Sequence, residues 1–174
     1  SVAGFNQNGC AVMCHVGETK PYGNKYTDKV GEVADMWHMK SGRNGVMGQV
    51  DDQYVDATRY DKEKSPNAGR KGDPGGPEYK PFNLVNGKPE FMNKDGKAAN
   101  AGGTYWIKDG DQIAFDDSKF KAGDEVSSYV VFAAKGDRGD IKVASRWQNG
   151  MWTYEVARKL KQAFGAPLGS FGPH

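Results

Sequence analysis

Two cysteines and a histidine lie within one hexapeptide, Cys10-Ala11-Val12-Met13-Cys14-His15. Thiols that add to the vinyl groups of a porphyrin, with an adjacent imidazole for its iron, ordinarily come as Cys-x-x-Cys-His. Here the spacer has one extra residue. On a helix, residues three apart and four apart both return to nearly one face. A short helical turn at Cys10–His15 would therefore keep both thiols within reach of one porphyrin edge and His15 beside the iron. Other chemistry is open to the same residues. A Cys10–Cys14 disulfide would close a very short loop and remove little unfolded-state entropy. Free thiols need no partner at all. Structural zinc ordinarily takes two separated ligand pairs, which adjacent Cys14 and His15 do not supply.

An iron held by His15 needs a sixth ligand or an open site, and His or Met are the candidates. The chain has three histidines. His174 belongs to the aperiodic segment 161–174. His38 sits in the apolar run Met36-Trp37-His38-Met39, where a lone histidine is ordinarily a satisfied core residue. In a strand Met36, His38 and Lys40 share one face, and Trp37 and Met39 point the other way. His38 and Met36 are both placed to meet one cofactor; imidazole would give the lower potential, thioether the higher. His38 is the preferred ligand. Trp37, Met39 and Met13 are candidates to pack near the macrocycle or simply to fill the core.

The positioning elements are strands. Residues 33–40 read as a buried strand. Residues 41–50 are rich in turn formers, and 51–60 read as an acidic segment with two tyrosines. The stretch from Asp61 to about Lys80 reads as one long polar loop. Thr104–Lys108, Gln112–Phe115 and Glu125–Ala133 carry short β-branched and aromatic runs. Residues 140–148 and 151–160 flank Asn149-Gly150, the signal of a type I′ hairpin. Ile141, Val143, Ser145 and Trp147 would share one face of its first arm, and Trp152, Tyr154 and Val156 one face of its second. The predicted class is mainly β, an antiparallel β-sandwich with long loops over residues 1–160, followed by an extended or disordered tail at 161–174.

Composition limits the function. At 174 residues this is one domain. Leu, Ile, Val and Phe make up 28 residues, whereas Gly numbers 24 and Pro 8. So small a core with so many loops calls for a staple, and a large apolar cofactor would serve. Net charge is +2, which excludes the basic footprint of a nucleic-acid binder. No apolar run is long enough for a membrane helix. No basic-then-apolar leader opens the chain, so any secretion signal is expected to have been removed. Gly-x-Ser-x-Gly, His-Glu-x-x-His and phosphate-loop motifs are absent. Asp51, Asp52 and Asp56 lack calcium-loop spacing and read as a solvated acidic loop.

Gly9–His15, Ala34–Lys40 and Val50–Asp56 (VDDQYVD), with Gly72–Gly76 (GDPGG) and the final hairpin through Arg158-Lys159-Leu160, resemble the ethylbenzene-dehydrogenase-type heme-binding domain family. The Cys10–His15 and Met36–Lys40 segments carry the specific part of the likeness, and Met39 departs from the family's Trp-His-Trp-Lys. The resemblance implies a β-sandwich with one heme c (iron) per chain, attached at Cys10 and Cys14 and ligated by His15 and His38, that transfers single electrons. Met36 stays open as a ligand, and Lys142 is displaced by His15. Expected partners are redox proteins, such as a molybdenum oxidoreductase or another cytochrome, in a bacterial periplasmic or extracellular setting. Family members carry several strands before the cysteine motif, so a second chain or segment completing the sandwich is also expected. Two other functions remain open. One is a cofactor-free binding or adhesion module with a Cys10–Cys14 disulfide and a ligand face built from Tyr54, Tyr60 and Trp106. The other is a heme enzyme with an open sixth position.

Overall fold

The computed structural model describes residues 9–16 and 25–159, with the backbone alone at 14–16. The predicted tail, 161–174, lies outside the described residues. So do the side chains of Cys14 and His15.

The chain is mainly β, as its composition and alternation predict. The strands are β1 (Gly9–Val16), β2 (Val33–Lys40), β3 (Asp51–Val55), β4 (Arg70–Gly72), β5 (Tyr79–Pro81), β6 (Leu84–Val85), β7 (Lys88–Pro89), β8 (Phe91–Asn93), β9 (Ile107–Lys108), β10 (Gln112–Ala114), β11 (Tyr129–Val131), β12 (Lys142–Gln148) and β13 (Met151–Ala157). Among the described residues the helical segments are short 3-10 turns. β1 to β4 form an antiparallel meander in chain order, β5, β11 and β9 a three-stranded sheet, and β8–β10, β6–β7 and β12–β13 separate pairs. These sheets are open, and none closes into a barrel.

β2 is the strand the sequence predicts, with the same bounds. It is paired on both sides, with β1 and with β3. Its alternation divides the core in two. Met36 packs with Ala34 and Val55 on one face. On the other, Met39 joins Val50, Ile141 and Val143, with Trp37, Tyr154 and Val156 packed against them. The hairpin also follows the prediction. Asn149 and Gly150 both have positive φ, 52° and 79°, as a type I′ turn requires. Val143 pairs with Val156, Ser145 with Tyr154 and Trp147 with Trp152.

Three expectations are corrected. The segment Cys10–His15 is not a helical turn but part of an eight-residue strand, from Gly9 opposite Lys40 to Val16 opposite Val33. A helix of one or two turns fixes many dihedrals for few hydrogen bonds, whereas the open edge of β2 offers a full ladder. Gly9 is required there, since a Cβ would sit 2.2 Å from the Met39 carbonyl oxygen. The polar stretch 61–80 is not one loop, because it contains β4 and the start of β5. The acidic segment 51–56 is not solvated: Asp51 and Asp52 are 1% and 0% exposed within β3.

Candidate functional site

The predicted site residues separate onto the two faces of the meander. Directly paired residues share a face. Ala11 is opposite His38 and Met13 opposite Met36, whereas Cys10 is opposite Met39 and Val12 opposite Trp37. Met36 and His38 therefore share one face, and Cys10 and Trp37 the other. Cys14 pairs with Asp35 and His15 with Ala34 in the backbone ladder.

The His38 face is a hydrogen-bonded chain of charged and amide side chains. Arg70, on β4, reaches His38 Nδ1 through Nη2 at 2.8 Å and donates from Nε to Gln53 Oε1 at 2.8 Å. A guanidinium only donates, so Nδ1 accepts and the ring proton sits on Nε2. Burial first, and then the Lys40 and Arg70 charges, hold the imidazole down to about 4. Gln53 donates in turn to Asp51. Asp51 also takes Lys40 Nζ at 2.8 Å and Arg138 Nε at 2.8 Å. Burial opposes ionisation of Asp51, but Lys40 and Arg138 outweigh it and keep its pKa below the usual range. Lys40 donates as well to Glu78 Oε1 at 2.5 Å, and Asn44 Nδ2 bridges the His38 carbonyl and Glu78 Oε2 at 2.8 and 2.9 Å. Burial and the nearby Asp51 charge push the Glu78 pKa up. Beside this chain lies a polar cleft of about 340 Å³ lined by Gln53, Asn67, Arg70, Lys71, Gly72 and Arg138.

The opposite face belongs to the hairpin. Asp35 Oδ2 accepts from Trp37 Nε1 at 3.1 Å and from Arg158 Nη1 at 2.7 Å, and the Arg158 guanidinium lies 4.9 Å from the Trp37 ring centre. Asp35 Oδ1 is buried without a hydrogen-bond partner among the described residues. Burial raises the Cys10 thiol pKa. The Tyr154 phenol is raised by burial and, next, by the charge of Cys10.

Sequence reasoning missed the basic residues of the cleft. Arg70 fell in a stretch read as a loop, and Arg138 lies in the 3-10 turn Gly136–Gly139. No spacing in the sequence marks them as a pair; only β3–β4 pairing and the return of Gly139 to the Gln49 amide, at 2.9 Å, bring them together. Lys142 donates to the Gly139 carbonyl at 2.7 Å. Tyr54, Tyr60 and Trp106 belong to β3, the segment after it and the segment before β9.

The group implied by the motif is a heme. The residue types fit it: thiols, imidazoles and a thioether on two hydrogen-bonded strands, with His38 beside the Arg70 guanidinium, a group that can pair with a macrocycle's carboxylate. The cysteine half lies on the other face. A single heme bonded at Cys10 and ligated by His38 requires β1 to leave its place on β2, and requires Arg70 to release His38 so that an unprotonated nitrogen faces the iron. A Cys10–Cys14 disulfide makes the same demand on β1, since four residues of strand separate their Cα atoms by about 13 Å, beyond disulfide reach.

No curated protein and no solved structure matches the chain. The family model for ethylbenzene dehydrogenase matches residues 2–166, a span that includes the cysteine motif, the His38 strand, the basic cleft and the hairpin. By that match over most of its length, the chain belongs to the ethylbenzene dehydrogenase family.

Proposed function

We propose that this chain is a c-type cytochrome domain that carries one heme and passes single electrons to and from an oxidoreductase partner. Cys10 and Cys14 form the thioether bonds, and His15 and His38 hold the iron. The observation that carries the reading is that a redox-enzyme family match spans both donor segments. When bound, the heme supplies one-electron redox chemistry at its iron. The chain's own residues do the rest. β2 presents His38 from a face packed by Met36, Ala34 and Val55, which keeps water off one side. Lys40, Asp51 and Glu78 fix the end of β2 by ion pairs at 2.8 and 2.5 Å. Trp37 and Tyr154 cover the Cys10 face. The expected setting is the bacterial periplasm or beyond, where such attachment takes place. The expected partners are a molybdenum oxidoreductase or another cytochrome, with a second chain or segment completing the sandwich.

An absorption spectrum and a pyridine hemochrome after acid–acetone extraction test the reading. Heme that resists extraction, with a two-thioether spectrum lost in Cys10→Ala, supports it. A colourless protein from its native source overturns it and leaves a cofactor-free binding module.

A second reading of the sixth ligand is favoured by Arg70, which occupies His38 Nδ1. In it Met36 binds the iron. Met36→Leu would then lower the potential and abolish the near-infrared thioether–iron band, with His38→Ala leaving both in place.

A further inference from the structure

We propose that the cleft formed by β3, β4 and the Arg138 turn is a binding site for a ligand bearing paired carboxylates. Four cations stand on this face: Lys40, Arg43, Arg70 and Arg138. Asp51 and Glu78 are the carboxylates paired with them, at 2.5 to 4.0 Å. Arg70 has none. Its partners among the described residues are Gln53 and the unprotonated Nδ1 of His38, both neutral. A half-buried guanidinium that contacts only neutral acceptors lacks the counter-charge such a group ordinarily keeps. Of the cations that line the cleft, Lys71 is paired with Asp56 and Arg138 with Asp51, and Arg70 is left without a carboxylate.

The geometry matches a carboxylate pair. Arg70 and Arg138 are each fixed through Nε, to Gln53 and to Asp51. Arg70 Nη1 is left for a single contact, and both Nη atoms of Arg138 are left for a forked contact of the kind a carboxylate makes. Gly72 makes room for the Arg138 fork: a Cβ there would lie 3.3 Å from Arg138 Nη1. Lys71 lines the cleft but gives its ammonium to Asp56. Asp73, whose carboxyl senses Arg138, is not among the lining residues. At about 340 Å³ the space suits a small dicarboxylate.

Two sources carry this chemistry: the two carboxylates at one edge of a heme, or a free dicarboxylic acid. The inference rests on the charges of the cleft and stands with or without heme.

Succinate is the probe, titrated calorimetrically into the full chain in heme-free and heme-bearing forms. Saturable binding to the heme-free chain is expected. Asn67→Asp places a negative charge in the cleft from an exposed position outside the buried network, so it should weaken binding about tenfold or more without lowering the melting temperature. Arg138→Lys, which keeps charge but not the fork, should fall between. Absence of saturable binding, or equal binding by Asn67→Asp, overturns the proposal. Binding that vanishes in the heme-bearing chain assigns the site to the heme edge; binding retained there assigns it to a free ligand. A chain that takes no heme but binds succinate leaves this proposal standing and removes the cytochrome reading.

Discussion

Lys40 is the residue whose loss should cost most on the His38 face. It holds Asp51 and Glu78, whose side chains are 0% and 4% exposed. Removing one partner of a buried ion pair leaves a charge that water cannot reach, which costs about 3–5 kcal/mol. Lys40→Met is expected to lose about that much in urea denaturation, and Lys40→Met with Glu78→Leu to recover part of it. Asp73 makes a second, pH-dependent prediction. Burial, then Asp35, Asp137 and Asp140, push its carboxyl up to about 6. Between about 4 and about 6 the folded chain keeps a proton that the unfolded chain has released. Stability contributed by this group therefore falls as pH rises through that window. Asp73→Asn should melt higher than the parent at pH 7, with the gap closing toward pH 4. A constant gap across the range would show that Asp73 titrates normally.

At the scale of elements, β1 is where the proposed heme can be tested. It is the edge strand of its sheet, and its described side chains at Cys10, Val12 and Met13 are exposed. If one heme takes both Cys10 and His38, the β1–β2 ladder opens. Hydrogen exchange is then expected to find the paired amides of residues 10–16 protected in the heme-free chain and unprotected in the heme-bearing one. Protection retained in a chain with covalent heme would mean that neither His38 nor Met36, which share the face away from Cys10, is the ligand. The elements also show what was legible. β2 and the Asn149-Gly150 hairpin carry unbroken alternation and a specific turn, and both lie where the sequence puts them. β1 was misread because four-residue spacing is common to one helical face and one strand face, and only a partner strand settles the choice. β3 was read as a solvated loop because Asp51 and Asp52 look solvated until Lys40 and Arg138, the latter distant in sequence, neutralise Asp51.

Over the whole molecule, apolar packing is thin and polar packing carries much of the order. The two clusters on β2 hold few aliphatic side chains. Between them and the turns run amide clamps such as Gln49, which accepts from the Ala134 amide at 2.9 Å and donates to the Ala134 and Gly139 carbonyls. A ligand that binds only the folded chain adds its own free energy to such a structure. Heme attachment is therefore expected to raise the midpoint of thermal unfolding, read by circular dichroism on coloured and colourless fractions of one preparation. Equal midpoints would place the heme outside the folded core. That Met36 and His38 share one face of β2 was legible because the strand's alternation is unbroken. The basic cleft was not, because it is assembled from three separate segments. The pleat of β2 has one more effect, on how the protein tolerates change. Positions 34, 36, 38 and 40 answer to Val55 and to the Asp51–Arg70 network, and 35, 37 and 39 to the hairpin side, so a saturation library along this strand should score with a period of two. The demands of the two faces would then be written in alternate codons, and selection can drift along one while the other is held.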